Sequence, residues 1–455
     1  MSVIGVKFRA YPSLEQRQRL SQWMGCTRVV WNAKCDEQEY FYRFKAKFCA
    51  ITTKTPIDQS YSQFKNEETT PWLYNCPSVL LRNTMCTWKE TFGKFLQGEC
   101  GKPKKKRKGQ KESLWFTKEI FRFEKNGLLI GGKKFDLGEL KFKAHRPFKS
   151  PHSIRIKREG GHYYVSFSYE SNAGHQATAV DTLNHLQSSS REALEKAVVG
   201  IDRGVKIAAH TGNKKFSPPV IHEKRKTTLH QQIRSLQKRL SRQLKGSTQR
   251  ERVKARIKSK YRRITHMHRE FAHQTSHRLI KSNHKVLVFE DLSTKNMTRR
   301  PKAKKDAQGK FLPNKAKAKA GLNRAILDKA WGLLFLFCKY KAEKYLKAAY
   351  KIPAQFTSQE CADCGHIHPD NRVSQGVFRC THCGHTDNAD ANAAKVIKKR
   401  AINLILDPGT GLSDGGVLIA NGQRALSLRK TRKTKTFLAI SDDASKKTKE
   451  MALAA

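Results

Sequence analysis

Two cysteine pairs constrain this chain more than anything else in it. Cys361 and Cys364 have two residues between them, as do Cys380 and Cys383, and fifteen residues separate the pairs. This spacing brings four thiolates to one tetrahedral Zn²⁺. Such a site supplies about 10–16 kcal/mol of folding free energy in zinc-finger peptides, so residues 356–387 are expected to form a zinc ribbon around one structural Zn²⁺. The run Asp387-Asn-Ala-Asp390-Ala-Asn-Ala-Ala follows at once. It predicts a helix from about 391 to 406 with an acidic residue at its cap. The ribbon would then pin an Asp beside whatever core that helix packs on.

The chain carries 91 Lys and Arg against 38 Asp and Glu, a net charge of +53 over 455 residues. A polyanion relieves self-repulsion on that scale, and nucleic acid is the obvious one. A structural protein of the ribosomal kind would share the charge, but not the ribbon joined to buried-strand patterns. The other seven cysteines (Cys26, Cys35, Cys49, Cys76, Cys86, Cys100 and Cys338) show no paired spacing and read as reduced, buried thiols. No signal peptide opens the chain and no run of 18 apolar residues occurs, so no membrane partner is expected. The expectation is a soluble, intracellular protein.

Residues 4–10 alternate as a short strand, and Ser13 then caps a helix. Helical spacing continues to about residue 95, broken near 53–58 and at Pro71 and Pro77, which predicts a segment of about four helices. Leu81, Met85, Trp88, Phe92 and Phe95 share one face. Arg82, Asn83, Lys89 and Lys94 lie on the other, as nucleic-acid contacts or as a plain solvated face. After a polybasic linker at 102–110, strand-like runs at 113–116, 121–123, 128–130, 140–142, 153–158 and 162–170 fit a small barrel of the oligonucleotide-binding kind. Glu159-Gly160-Gly161 marks a hairpin, with Tyr163, Val165 and Phe167 alternating. Residues 171–192 lack periodicity and read as a linker.

A second anchor is Val198-Val199-Gly200-Ile201, an apolar run that delivers Asp202 near a strand's centre, with Gly204 allowing close approach of a ligand or metal. A buried Asp is costly unless something compensates it. Residues 222–283 read as a helical hairpin, with Leu229, Ile233, Leu236, Leu240 and Leu244 on one stripe and Val253, Ile257, Tyr261, Ile264 and Phe271 on the other. Arg250, Arg252, Lys254, Arg256, Lys258, Lys260, Arg262 and Arg263 make eight of fourteen consecutive residues basic, a density that suggests phosphate contact. A second buried strand, 285–291, ends in Glu290-Asp291. Residues 297–320 read as a mobile basic loop, 322–350 as one long helix, 350–355 as a short strand, and those beyond Asp407 as a disordered tail.

Asp202, Glu290 and Asp390 thus follow a strand, a strand and a helix start. That order lets all three meet at one sheet edge. Converging carboxylates stay ionised only around hard cations, and two Mg²⁺ about 4 Å apart activate water for phosphodiester hydrolysis. Taken singly, Asp202 could be a turn residue, Glu290 a strand-end charge and Asp390 an N-cap. Together, in so basic a chain, they favour a nuclease.

The segments GIDRGV, VFEDLSTKNM, FTSQECADCG, FRCTHCG and DNADANAA resemble the RuvC-type nuclease of the TnpB family, transposon-encoded RNA-guided DNA endonucleases related to compact type V CRISPR effectors. Flanking segments such as KFRAYPSLEQRQRL and NRAILDKAWGLL extend the likeness over about residues 4–405. The resemblance implies an α/β multidomain protein: an RNase H-like (RuvC) nuclease core with an inserted zinc ribbon, an oligonucleotide-binding-like β-barrel wedge domain and an α-helical recognition domain. Its implied boundaries are 1–12 for the first wedge strand, 13–112 for the recognition domain and 113–195 for the rest of the wedge with a linker. Residues 196–355 and 388–406 would form the nuclease, 356–387 the ribbon that binds target nucleic acid, and 407–455 a tail.

The family's acids match Asp202, Glu290 and Asp390. Asp387 lies one helical turn earlier and leaves the third ambiguous; Asp390 is preferred because it directly precedes Ala-Asn-Ala-Ala. The implied cofactors are two catalytic Mg²⁺, one structural Zn²⁺ and a guide RNA from the transposon end. The implied target is double-stranded DNA beside a short motif, with base pairing reading the sequence. A separate transposase of the same element is a further implied partner. Rival readings are a nuclease-dead RNA-guided repressor, a transposition accessory DNA-binding protein, and a transposase using His266-Met267-His268. A helical pattern splays the two histidines of that last motif apart.

Overall fold

The computed structural model describes residues 2–48, 60–110, 112–124, 127–132, 135–171, 178–413 and 415–420. The chain divides into two compact units, residues 1–175 and 176–455, each with its own core.

In the first unit the elements are β1 (Ser2–Ala10), α1 (Leu14–Phe48), α2 (Ser78–Leu96), β2 (Glu112–Thr117), β3 (Phe121–Phe123), β4 (Leu128–Gly131), β5 (Asp136–Leu140), β6 (Phe142–Lys143), β7 (Ser153–Glu159) and β8 (His162–Ser171). An antiparallel sheet of order β2-β7-β8-β1-β6 and a three-stranded sheet β3-β4-β5 share one core. Alternation drives the burial: Tyr163, Val165 and Phe167 point inward from β8. Phe8, Phe123, Phe142, Phe148 and Phe167 stack around them with neighbouring ring centroids 5.1–6.0 Å apart. The β7–β8 turn needs positive φ at both central residues, and Gly160 and Gly161 supply it at 57° and 84°.

Ser13 and Gln16 cap α1 reciprocally. The Ser13 N–H donates to Gln16 Oε1 at 3.0 Å and the Gln16 N–H to Ser13 Oγ at 3.2 Å. Where about four helices were expected, the described residues hold two long ones and two 3-10 turns, Tyr61–Phe64 and Pro71–Asn75. Pro71 opens one turn and Pro77 precedes α2, both positions that need no N–H donor. The expected break at 53–58, and Cys49, lie outside the described residues. On α2, Leu81, Met85, Trp88 and Phe92 are buried as expected. Asn83 is not a surface contact: it is buried, and its Nδ2 donates to the Trp115 carbonyl at 2.9 Å, tying α2 to β2. Arg82 pairs with Glu119 at 2.8 Å, and Lys89 is exposed.

The second unit begins with α3 (Ala179–Gln187) and α4 (Arg191–Ala197), where a linker was expected. Thr178 and Asp181 form a capping box, and Leu183, Leu186 and Leu194 are buried in this unit's core. Then come β9 (Val198–Ile201), β10 (Ala209–His210), β11 (Lys215–Phe216), α5 (Val220–Ser241), α6 (Thr248–Ile280), β12 (Val286–Glu290), α7 (Thr294–Met297), β13 (Lys304–Lys305), β14 (Phe311–Leu312), α8 (Ala316–Asp328), α9 (Trp331–Lys344), β15 (Ala348–Ile352), β16 (Val377–Arg379), β17 (Thr386–Asn388), α10 (Ala389–Leu406), β18 (Gly411–Leu412) and β19 (Leu418–Ile419).

Strands β9, β12 and β15 form a parallel sheet with β12 in the middle. An Asp202–His210 bridge joins the β10–β11 hairpin to it. Helices α3, α4 and α10 bury one face, and α6 and α9 the other, which is why β9 and β12 are apolar without alternation.

Several expectations need correction. Residues 322–350 are not one helix, because the chain breaks at Ala330, whose φ is 52°. The supposed mobile loop at 297–320 contains the β13–β14 hairpin and the start of α8. The tail is ordered through the β18–β19 hairpin: Leu418 is buried and the Lys351 N–H donates to Gly416 O at 2.8 Å. Residues 421–455 lie outside the described residues. In the α5–α6 hairpin, Leu229, Ile233, Val253, Ile264 and Phe271 are buried, but Leu244 at the tip is 83 % exposed. Arg250, expected at a phosphate, instead holds the carbonyls of Leu240 and Gln243. Lys254 pairs with Glu251 and Lys260 with Gln232, whereas Arg252, Arg256 and Arg263 are exposed. Among the described residues no helix is long and apolar enough to cross a membrane.

Ala330 occupies the left-handed region just past α8, where glycine is favoured. Ala330→Gly is expected to raise stability by about 0.5–1 kcal/mol, read as a higher denaturation midpoint. A lower midpoint would mean that the alanine methyl makes packing contacts worth more than the strain.

Candidate active site

The register of the parallel sheet places Ile201 beside Phe289, so Asp202 and Glu290 leave it at the same end. Asp202 sits one residue past β9 rather than at a strand centre. Its N–H and C=O both bond His210 at 2.9 Å. Asp390, in the first turn of α10, reaches the same place: its Oδ2 lies 3.8 Å from where a Cβ on Gly204 would stand. The three carboxylates line one cavity of about 490 Å³, together with Arg203, Thr357 and Arg372.

Burial, and after it the negative charges of Glu290 and Asp390, push the Asp202 carboxyl up to about 8. Burial also raises Glu290, opposed by the Thr357 hydroxyl that donates to its Oε1, by Arg203 and by a hydrogen bond with Asp202. The guanidinium of Arg203, itself buried, donates to the Glu290 carbonyl. Without a cation the cluster therefore retains a proton near neutral pH. An all-oxygen donor set with unneutralised charge fits a hard divalent cation.

The neighbouring acids are occupied elsewhere. Asp387 lies in β17, off the cavity, with its Oδ2 2.8 Å from Lys395 Nζ. Although burial acts against it, Lys395 holds that carboxyl below its usual range. Asp291 pairs with Lys351 at 3.1 Å. Neither Asp387 nor Asp390 caps α10, contrary to the expected acidic cap. Asn388 does, accepting the N–H groups of Asp390 and Ala391 at 3.1 and 3.3 Å.

Three cavity neighbours went unforeseen. His210 faces Asp202 across the bridge, so both side chains lie on the same side of the ladder. It is 2 % exposed, and burial lowers its pKa. Its Nδ1 accepts the Gly212 N–H at 3.0 Å, which puts the proton of the neutral ring on Nε2. Foreseeing it required recognising a hairpin between residues 202 and 210. Thr357 and Arg372 come from the ribbon's outer loops, where spacing carries no signal.

The ribbon is compact. Cys361 Sγ lies 3.7 Å from Cys383 Sγ and Cys364 Sγ 3.6 Å from Cys380 Sγ, with all four within 4.8 Å of one another. Zn–S bonds of about 2.3 Å in a tetrahedron give sulfur–sulfur edges of about 3.8 Å. The four-cysteine cluster thus fits a zinc site. Each CxxC turn closes alike, Gly365 N–H onto Cys361 O and Gly384 N–H onto Cys380 O, at 3.0 and 3.1 Å. Burial disfavours the Cys380 thiolate, but the Cys383 and His382 N–H groups and Cys364 outweigh it and hold the thiol at about 6. Asn392 of α10, fully buried, fastens the ribbon to the helix: it accepts from Ala362 N–H at 2.9 Å and donates to Glu360 O at 2.7 Å.

Three families match the chain. One described as "Helix-turn-helix domain" covers residues 1–43, "Probable transposase" covers 169–300, and "Cas12f1-like, TNB domain" covers 331–397. The protein named "Putative RNA-guided DNA endonuclease InsQ" of Escherichia coli (strain K12) is 27 % identical over 396 residues, 86 % of this chain and 90 % of the relative. A Streptomyces pristinaespiralis protein named "Putative RNA-guided DNA endonuclease" is 26 % identical over 398 residues, 86 % of this chain and 87 % of the relative. The "CRISPR-associated endodeoxyribonuclease Cas12f1" of Sulfoacidibacillus thermotolerans is 45 % identical over 67 residues, 15 % of this chain and 16 % of the relative. The structure is a mixed α/β multidomain one, and the matches are to proteins of the OrfB type. By these matches the chain is similar to proteins of the IS605 OrfB, or TnpB, family over most of its length.

Two outcomes test this geometry. Cys380→Ser is expected to lose about one zinc per chain by elemental analysis and to lower the melting temperature; a well-folded parent without zinc would contradict the assignment. For Asp202, the folded pKa lies above the unfolded value of 3.8. Its contribution to stability is therefore full below about pH 4 and lost as pH rises through about 8. In magnesium-free buffer Asp202→Asn should flatten that loss by a few kcal/mol, read from melting temperature against pH. Parallel curves for parent and variant would show that Asp202 is ionised throughout.

Proposed function

We propose that this protein is an RNA-guided DNA endonuclease of a transposable element. It would cleave double-stranded DNA matched by a transposon-derived guide RNA beside a short motif. The observation that carries the reading is the meeting of Asp202, Glu290 and Asp390 around one cavity in a chain of net charge +53. The names of the Escherichia coli and Streptomyces relatives point the same way. The second unit is read as an RNase H-like (RuvC) core, with strands in the order β11-β10-β9-β12-β15 and acids at the ends of β9 and β12 and the start of α10. The first unit is read as a wedge barrel with a helical recognition element, and the ribbon as a binder of target nucleic acid. A cell compartment shared with DNA, the cytosol or nucleoid, follows from the activity, and a separate transposase remains a fitting partner.

Asp202, Glu290 and Asp390 would hold Mg²⁺. When bound, Mg²⁺ supplies an activated water and positive charge for the leaving oxygen of a phosphodiester. The chain's own residues arrange this. Thr357 fixes one oxygen of Glu290 by donating to it. Arg203, braced on the Glu290 carbonyl, offsets carboxylate charge from beneath, and Arg372 brings a positive charge to the cavity wall where a phosphate would lie. His210, with Nδ1 occupied by the Gly212 N–H, carries the proton of its neutral ring on Nε2 and holds Asp202 through the backbone. The ribbon sets the position of Asp390 through β17.

The test reconstitutes the protein with copurified RNA and a matching duplex in Mg²⁺, scoring binding and cutting separately. Alanine at Asp202, Glu290 or Asp390 should abolish cutting while binding survives, because phosphate and pairing contacts lie elsewhere. Asp387→Ala and Asp291→Ala should still cut, since each loses only a partly exposed ion pair worth less than about 1 kcal/mol. A dead Asp387→Ala with an active Asp390→Ala would overturn the choice of third acid. A parent that binds but never cuts, under varied metal and target motif, would leave the repressor reading.

A further inference from the structure

A second cavity in the same unit matches the first in size but holds cations without acids. It measures about 500 Å³ and is lined by Val199, Phe216, Leu279, Lys214, Lys215 and Arg278, with His284 among the polar residues at its edge. No carboxylate lines it. Lys214 and Lys215 come from the β10–β11 hairpin and Arg278 from the last turns of α6. All three are exposed, and none has an ion-pair partner among the described residues. Val199 and Leu279 are buried and Phe216 half-buried, so the floor is apolar with one aromatic ring. The hairpin tip is fixed: Gly212 stands at φ 82°, and the Thr211 N–H donates to Lys214 O at 3.0 Å. His284 Nδ1 faces the Lys196 carbonyl at 3.2 Å. It must donate there, so Nε2 of the neutral ring is left as an acceptor.

We propose that this cavity is a binding site for one unstacked nucleotide of a single strand. The base would lie against Phe216 and Leu279, and its flanking phosphates on Lys214, Lys215 and Arg278. Duplex nucleic acid keeps its bases stacked and presents only phosphates, so an apolar floor would do nothing for it. Single strands offer a base face and a phosphate together, which is the pairing of aromatic and cation found here. A free acidic peptide would use the cations but leave the floor empty. The site lies toward the start of β9, by Val199, whereas the acids gather past its end at Asp202. It therefore grips a strand without taking part in chemistry. The proposal rests on the reading of this protein as one that acts on nucleic acid, but not on its cutting.

The experiment measures affinity of the full chain for fluorescent oligouridylate and oligothymidylate between about 50 and 200 mM salt. The triple variant Lys214→Ala, Lys215→Ala, Arg278→Ala should reduce the slope of log affinity against log salt by about 2. Phe216→Leu keeps apolar packing but loses the flat ring; it should weaken binding about 5- to 150-fold, the loss expected for one stacked base, at an unchanged melting temperature. Photocrosslinking separates the sources. RNA carrying 4-thiouridine or DNA carrying 5-iododeoxyuridine should label peptides spanning 211–216 or 278–284, and whichever labels them identifies the strand. Unchanged slope and affinity in the variants, with no label on those peptides from either probe, overturns the proposal. Cutting is scored apart: variants that bind like the parent while Asp202→Ala alone abolishes cutting sink the cavity and leave the nuclease. A parent that binds through the cavity yet never cuts does the reverse.

Discussion

Helix α10 lies so close to strand β9 that a side chain cannot come between them. A Cβ on Gly200 would stand 2.1 Å from the Ala394 carbonyl oxygen, so only glycine permits the approach. That contact fixes the helix against the strand that ends in Asp202, and the helix carries Asp390 in its first turn. Glu290 needs no such device, because β12 is hydrogen-bonded to β9 along its length. The meeting of three acids thus reduces to one sheet register and one glycine. The ribbon adds the remaining restraint, since β17 continues into α10 without a break and Asn392 bonds back to the chain beside Cys361.

Much of this was legible in the chain, and the reason is locality. The CxxC turns, the Gly160-Gly161 hairpin and the apolar runs before Asp202 and Glu290 each depend on a few adjacent residues. What escaped depends on partners far away in sequence. Ala330 is a strong helix former, and nothing local foretells that it stands left-handed between α8 and α9. The two short helices at 179–197 carry only Leu183, Leu186 and Leu194 as apolar anchors, too few to show a period. Asn83 reads as a surface residue until β2 presents the Trp115 carbonyl.

The α10 cap shows how a near miss arises. Asp and Asn cap helices about equally well, so the sequence alone cannot choose among Asp387, Asn388 and Asp390. The structure uses Asn388 because its amide also donates to the Gly376 carbonyl at 3.2 Å, which an ionised carboxylate cannot do. That choice leaves Asp390 uncommitted at the cavity and lets Lys395 take Asp387. The ambiguity between two acids one helical turn apart is therefore resolved by a third residue with a donor.

Charge distribution ties recognition to chemistry on the proposed reading. Outside the cavity the protein is strongly cationic and draws a polyanion toward it at long range. Inside, three carboxylates share the space with Arg203, Lys206 and Arg372, and burial together with the charges of Glu290 and Asp390 raises Asp202 to about 8. A phosphate entering that space alone would push the carboxyls further toward protonation, at a cost in both binding and reactivity. A divalent cation reverses the sign: it displaces the retained proton and turns the same cavity attractive to phosphate. Cation and scissile strand should then bind with positive coupling, each raising the other's affinity by the same factor. The long-range field gathers nucleic acid without a cation, whereas occupancy at the acids requires one, so this arrangement separates holding a strand from committing it to cleavage.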